Sequence, residues 1–148
     1  MVTTVGNETE LDELVEDLVK LDFAVIVAYD AAIERLSNVE YQRQMREFRN
    51  DHRDHTQVLG AWLREHDHTP PDGGGAKELL TKGKVVIAGL AGDKQVLQAM
   101  KTNEDDTNTA YERAIKHEEA ADLVTVFEKN LSDERRHRTW IEATIATL

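Results

Sequence analysis

Asp51-His52-Arg53-Asp54-His55 lies over Asp133-Glu134-Arg135-Arg136-His137 at an offset of 82 residues. At the same offset, Ala28-Tyr29-Asp30-Ala31-Ala32-Ile33 lies over Ala110-Tyr111-Glu112-Arg113-Ala114-Ile115, and Asp22 lies over Glu104. The separations 22→52 and 104→134 are both 30 residues. Short motifs often match by chance, but a register shared across two separate segments does not arise that way. The chain therefore reads as two related halves with polar residues at corresponding places.

The segments around these motifs are helical. From about Glu8 to Ser37 the seam is Leu11, Val15, Leu18, Asp22, Val25, Tyr29, Ala32, Leu36. Its steps of four and three are those of a bundled helix, with Thr9 or Asn7 as the expected cap. From Val39 to Glu65 the seam is Tyr41, Met45, Phe48, His52, His55, Leu59, Trp62, His66. A third helix opens at Ala91-Gly92-Asp93, with Asp93 as the expected N-cap. Its stripe is Leu97, Met100, Glu104, Thr107, Tyr111 and Ala114 or Ile115. A fourth, from about Ala120 to Thr147, carries Val124, Phe127, Leu131, Glu134, His137, Ile141 and Ile145. Pro70-Pro71-Asp72-Gly73-Gly74-Gly75 breaks the chain between the halves, and Ala76 to Leu90 has room for one short helix. The expected fold is an all-α four-helix bundle of two pseudo-symmetric αα-hairpins. The hairpins span about 8–66 and 93–147, and the crossover spans 67–92. That crossover is long enough to let helices two and three be parallel neighbours rather than a tight hairpin.

A chain of 148 residues suits one domain with one core. It has no cysteine, so a metal would have to be held by His, Asp, Glu or Tyr. The net charge of −11 repels phosphate backbones and anionic lipid, which disfavours nucleic acid and membrane surfaces as partners. No apolar run reaches the length of a membrane span, and the N-terminus lacks a basic and an apolar region. The expected setting is the cytoplasm.

A carboxylate in a bundle core is costly unless it is paired or bound to a cation. The two halves bring Asp22, His52, His55, Glu104, Glu134 and His137 toward one level of that core. An i, i+3 spacing sets both polar groups of one helix on the same face. Carboxylates neutralise cations and imidazoles add neutral nitrogen donors, so the set suits a metal.

The Asp/Glu-x6-Tyr pattern on helices one and three, with Glu-x-x-His on helix four, resembles the ferritin-like di-iron carboxylate superfamily. The stretch Phe48-Arg49-Asn50-Asp51-His52-Arg53-Asp54-His55 resembles a small bacterial ferritin-like family. By that resemblance Asp22 and Glu104 are terminal carboxylates, His55 and His137 imidazole ligands, and Glu134 the bridge between two metals. Tyr29 and Tyr111 would orient carboxylates across the core. The resemblance implies one or two irons per chain, with zinc or manganese as alternatives. It also implies Fe(II) oxidation by oxygen or peroxide, in iron handling or oxidative-stress defence. One position departs from the pattern. His52 stands where the first Glu-x-x-His has its glutamate, and a neutral imidazole cannot bridge two cations. Asp51, four residues before His55, is a candidate substitute, and Asp105 is a spare carboxylate beside Glu104.

Other features read blandly. His66, His68 and His117 suit helix ends or solvated positions. Met45 and Met100 suit the core, and Trp62 and Trp140 border it. Gly73-Gly74-Gly75 lacks a following Lys-Ser/Thr and reads as a hinge. The rival to the metal site is a metal-free bundle with Asp22–His55 and Glu104–His137 pairs. It would act as a stress or scaffold protein through protein–protein interaction. A homodimer or small homo-oligomer is expected.

Overall fold

The computed structural model describes residues 3–73 and 86–148. Helix α1 spans Leu11–Arg35, α2 Val39–Glu65, α3 Asp93–Ile115 and α4 Val124–Ile145. Among the described residues there is no strand, and the fold is an all-α four-helix bundle. The periodic seam explains α1, whose buried face runs through Leu14, Leu18, Asp22, Val25 and Tyr29. Asn38 ends the short turn that follows and caps α2, its side chain accepting from the amides of Glu40 and Tyr41 at 2.9 and 3.2 Å.

Three expected helix starts differ. The N-cap of α1 is Glu10, with no side-chain bond, rather than Thr9 or Asn7. The segment before it is drawn to α3 instead, where Arg113 donates to the carbonyls of Thr3 and Val5. Gly92, at φ 89°, precedes α3 in the position expected of Asp93. The Asp93 carboxylate reaches back to the amides of Ser37 and Asn38 at 2.8 and 3.1 Å. The fourth helix begins with a 3-10 turn at Ala121–Leu123 rather than at Ala120.

Side-chain bonds fix the helix directions. Tyr29 of α1 meets Glu104 of α3, and Asp22 of α1 meets Tyr111 of α3, so these helices run antiparallel. His55 meets Asp133, and Asp51 meets His137, so α2 and α4 are antiparallel too. Helices α1 and α2 form an antiparallel hairpin, which leaves α2 and α3 parallel. They are not the neighbours that the crossover length allowed: α1 packs on α3 and α2 on α4, which sets α2 and α3 on a diagonal. The start of α3 lies beside the α1–α2 turn, at the opposite end of the bundle from the end of α2. Most of the expected short helix over 76–90 lies outside the described residues, as do Gly74 and Gly75 of the expected hinge.

Two apolar clusters occupy the ends of the core. One gathers Leu14, Leu18, Leu59, Leu63, Tyr111 and Phe127. The other gathers Tyr29, Met45, Phe48, Leu97, Met100 and Ile141. The buried polar residues lie between them. Leu18 is fully buried. Replacing it with Ala should therefore lower the unfolding free energy by ~2–5 kcal/mol, through lost burial and the cavity left behind. Urea unfolding followed by circular dichroism measures the difference.

Candidate metal centre

Each helix contributes to one layer of the core. Asp22 comes from α1, His52 and His55 from α2, Glu104 from α3, and Glu134 and His137 from α4. All six are buried, none more than 1% exposed. Their donor atoms form two groups, Asp22–His52–His55–Glu134 and His52–Glu104–Glu134–His137, with the atoms of each group within 4.8 Å of one another. His52 and Glu134 belong to both groups, and they are counterparts across the repeat.

Two tyrosines brace the layer. Tyr111 donates to Asp22 Oδ2 at 2.6 Å, and Tyr29 donates to Glu104 Oε1. Each tyrosine thus donates a hydrogen bond to a carboxylate of the opposite hairpin. Two aspartates do the same for the imidazoles. His137 Nε2 lies 2.8 Å from Asp51 Oδ2, and His55 Nε2 lies 2.9 Å from Asp133 Oδ2. Both aspartates are held below the usual carboxylate range. Burial opposes this, but bonds from His137 and Arg136 at Asp51, and from His55 and Lys129 at Asp133, outweigh it. An ionised carboxylate only accepts, so each Nε2 carries a proton and donates it. That leaves each Nδ1 facing the layer, where a neutral ring offers a lone pair.

Asp51 therefore does not substitute for the missing glutamate beside His55 on its own helix. It faces His137 of α4 and Arg136, because the antiparallel α2–α4 pairing carries it across the seam. Asp105 is elsewhere too, at the surface with Lys101 and Arg138. The remaining histidines occupy ordinary positions. His66 stacks on Trp62, His68 faces Asp12 and Glu16, and His117 bonds the carbonyls of Glu8 and Thr9. Met45 and Met100 are buried in the core, as expected.

Sequence reasoning missed three buried polar partners. Thr107 donates to Glu134 Oε2 at 2.8 Å. Asn108 donates to the Glu104 and Glu134 carbonyls, and Asn130 donates to the Tyr111 hydroxyl. A signal existed for Thr107, which sits on the polar seam three residues after Glu104.

Residues 10–117 match a family described as Domain of unknown function (DUF2383). The chain belongs to the DUF2383 family. No curated protein and no solved structure matches it. The DUF2383 match covers Asp22, His52, His55 and Glu104 and ends before α4, which supplies Glu134 and His137.

The charges are strongly interdependent. Burial pushes the Asp22 carboxyl up, but the pull of His55 and His52 holds it at about 2. Glu104 is likewise held well below its usual value, by His137 and His52 against burial. Glu134 goes the other way. Burial dominates, His52 pulls down, Glu104 adds to the rise, and the carboxyl stands at about 7. Burial would lower the histidines. At His52 the attraction of Glu134, Asp22 and Glu104 wins, raising it to about 10. Asp22 and Asp133 raise His55 to about 12. Asp51 and Glu104 raise His137. Among the described residues four buried side-chain atoms lack a hydrogen bond, and two of them, His137 Nδ1 and Glu134 Oε1, lie in this layer.

Linkage gives the pH dependence of the metal-free protein. A histidine raised from 6.5 stabilises the fold fully below that pH, and the contribution is lost as pH rises through the folded value. Glu134 acts in the same sense: its contribution is fully present below 4.5 and is lost as pH rises through about 7. The melting temperature in excess chelator should therefore fall as pH rises from about 6.5 toward about 10. Thermal melts across that range test the sign.

Proposed function

We propose that this protein is a ferritin-like metal-binding protein whose bundle core holds iron, in a dinuclear or a single-metal site, and that it serves iron handling or oxidative-stress defence. The observation that carries the reading is the buried layer of three carboxylates and three imidazoles, in which His137 Nδ1 and Glu134 Oε1 have charged neighbours but no hydrogen bond. Buried polar atoms seldom stay unpaired without a reason. A cation between these groups would engage both.

The donor set fits such an ion. Asp22 and Glu104 would be terminal carboxylates, Glu134 would reach both groups, and His55 and His137 would present Nδ1. Mixed nitrogen and carboxylate donors suit iron, zinc or manganese, and the resemblance to ferritin-like proteins favours iron. Bound iron would supply one-electron chemistry toward oxygen or peroxide. The residues themselves orient the site. Tyr29 and Tyr111 hold the carboxylates, Asp51 and Asp133 hold the rings, and the apolar clusters exclude water. Among the described residues, no helix is long and apolar enough to cross a membrane. A cytoplasmic setting and a small homo-oligomer are part of the proposal.

One observation favours the metal-free alternative. His52 Nδ1 lies 2.7 Å from Asp22 Oδ1, and its Nε2 lies 3.2 Å from Glu104 Oε1. A protonated ring there joins two carboxylates without any metal, as a scaffold bundle would need.

Metal analysis of tag-free protein, before and after reconstitution with Fe(II) or Zn(II), separates the two readings. The metal reading predicts stoichiometric uptake and a melting temperature raised by the ion and lowered by chelator. Glu134→Ala should lose stoichiometric uptake while keeping its helical circular dichroism. Unchanged metal content in that variant would sink the assignment. Asp51→Asn and Asp133→Asn should retain the site with roughly 10–100-fold weaker metal affinity, measured by competition with a chelating dye.

A further inference from the structure

His52 and Glu134 occupy equivalent places in the repeat, and each presents one atom to each half of the layer. Around the first half, His52 Nδ1 lies 2.7 Å from Asp22 Oδ1 and 3.5 Å from Glu134 Oε1. His55 Nδ1 lies 3.3 Å from the same Asp22 oxygen and 3.2 Å from the same Glu134 oxygen. Around the second half, His52 Nε2 lies 3.2 Å from Glu104 Oε1. His137 Nδ1 lies 3.4 Å from Glu104 Oε1 and 3.8 Å from Glu134 Oε2. A tetrahedral ion with bonds of about 2.0–2.1 Å has donor–donor edges of ~3.3 Å. Most of these separations are already close to that edge. Each half therefore brings two nitrogens and two carboxylate oxygens within 4.8 Å of one another, with most of the nitrogen–oxygen separations near that edge.

We propose that His52 is a bridging ligand, its deprotonated ring binding one divalent transition-metal cation through Nδ1 and a second through Nε2. The first cation takes Asp22, His55 and Glu134 Oε1 as its other ligands. The second takes Glu104, His137 and Glu134 Oε2. This deepens the metal-binding reading and rests on it.

Charge supports the assignment. Two divalent cations bring +4 into the layer, and Asp22, Glu104 and Glu134 bring −3. An imidazolate supplies the remaining −1, as a fourth carboxylate would. In a fully buried layer an uncompensated charge is costly, and a neutral His52 ring would leave the pair short of one negative charge. Bound cations strongly favour the deprotonated form of a ligand that touches them. On loading, both His52 ring protons, any inward-facing protons of His55 and His137, and any proton on Glu134 pass to solvent. No electron moves. Two ions on opposite nitrogens of one ring sit farther apart than the ~3.5–4 Å of compact two-metal sites.

The test uses tag-free, chelator-stripped full-length protein titrated with Cu(II) alone, followed by native mass spectrometry and electron paramagnetic resonance. Wild type should take up two copper ions per chain, the signal growing over the first equivalent and losing more than half its intensity over the second. In His52→Gln, with helical content checked by circular dichroism, either one ion binds or two bind with additive signals. Two coupled ions in both proteins would leave Glu134 as the bridge and overturn the assignment of His52. A single ion in wild type would overturn the bridge while leaving metal binding intact. No uptake would overturn both. X-ray absorption on Zn(II)-loaded protein reads the same geometry without relying on the Gln variant. A Zn–Zn distance of ~3.5–4 Å in wild type contradicts the ring bridge, whereas its absence in wild type and appearance in His52→Glu support it.

Discussion

Burial of opposite charges in one layer is the constraint on which the bundle depends. None of the six ionisable side chains could stay charged there alone. Each has partners on other helices: Asp22 is bound from α2 and α3, Glu104 from α1, α2 and α4, and His55 from α1 and α4. No helix can rotate or slide by a turn without stripping a buried charge of its partner. Apolar clusters flank the layer on either side, and low polarity strengthens every bond between them. The layer therefore fixes helix register more firmly than hydrophobic packing alone, which tolerates rearrangement.

The pseudo-two-fold relation means that most of these interactions occur twice. A tyrosine of one hairpin holds a carboxylate of the other, and an aspartate of α2 or α4 holds an imidazole of the opposite helix. The departures from symmetry go together. Glu134 replaces His52, and Thr107 replaces Val25, its counterpart across the repeat. A carboxylate has about four acceptor sites to satisfy, whereas an imidazole has two nitrogens. The Thr107 hydroxyl accordingly lies against Glu134, while Val25 joins the apolar cluster. The second hairpin is more polar because its central carboxylate requires more donors.

Much of this was legible in the sequence. Steps of four and three located the helices, and polar residues on an apolar seam located the layer. The repeat placed all six side chains together, because one offset held across two separate segments. What was not legible depended on how the hairpins pack. Asp51 is four residues before His55, and spacing along one helix assigns it there. Only the antiparallel α2–α4 contact sends it to His137. Likewise Asp93 looks like a cap in sequence, yet its carboxylate serves the α1–α2 turn, and Gly92 takes the cap position at positive φ. Local pattern reports which face of a helix is buried. It does not report which neighbour meets that face.

Charge balance ties the metal-free and metal-bound descriptions together. Without an ion, protons on the three imidazoles offset the carboxylates, and Glu134 is the carboxyl least well compensated. In the proposed metal-bound form an entering cation would displace those protons, because excess charge is costly in a fully buried layer. The outer aspartates determine which protons leave. Asp51 and Asp133 are ionised and partly exposed, at 24% and 13%, and they retain the Nε2 protons of His137 and His55. Exchange is thereby confined to the inward-facing atoms, which are the proposed ligands. The same two bonds that orient the rings thus separate the protons a metal must replace from those that hold the site in shape.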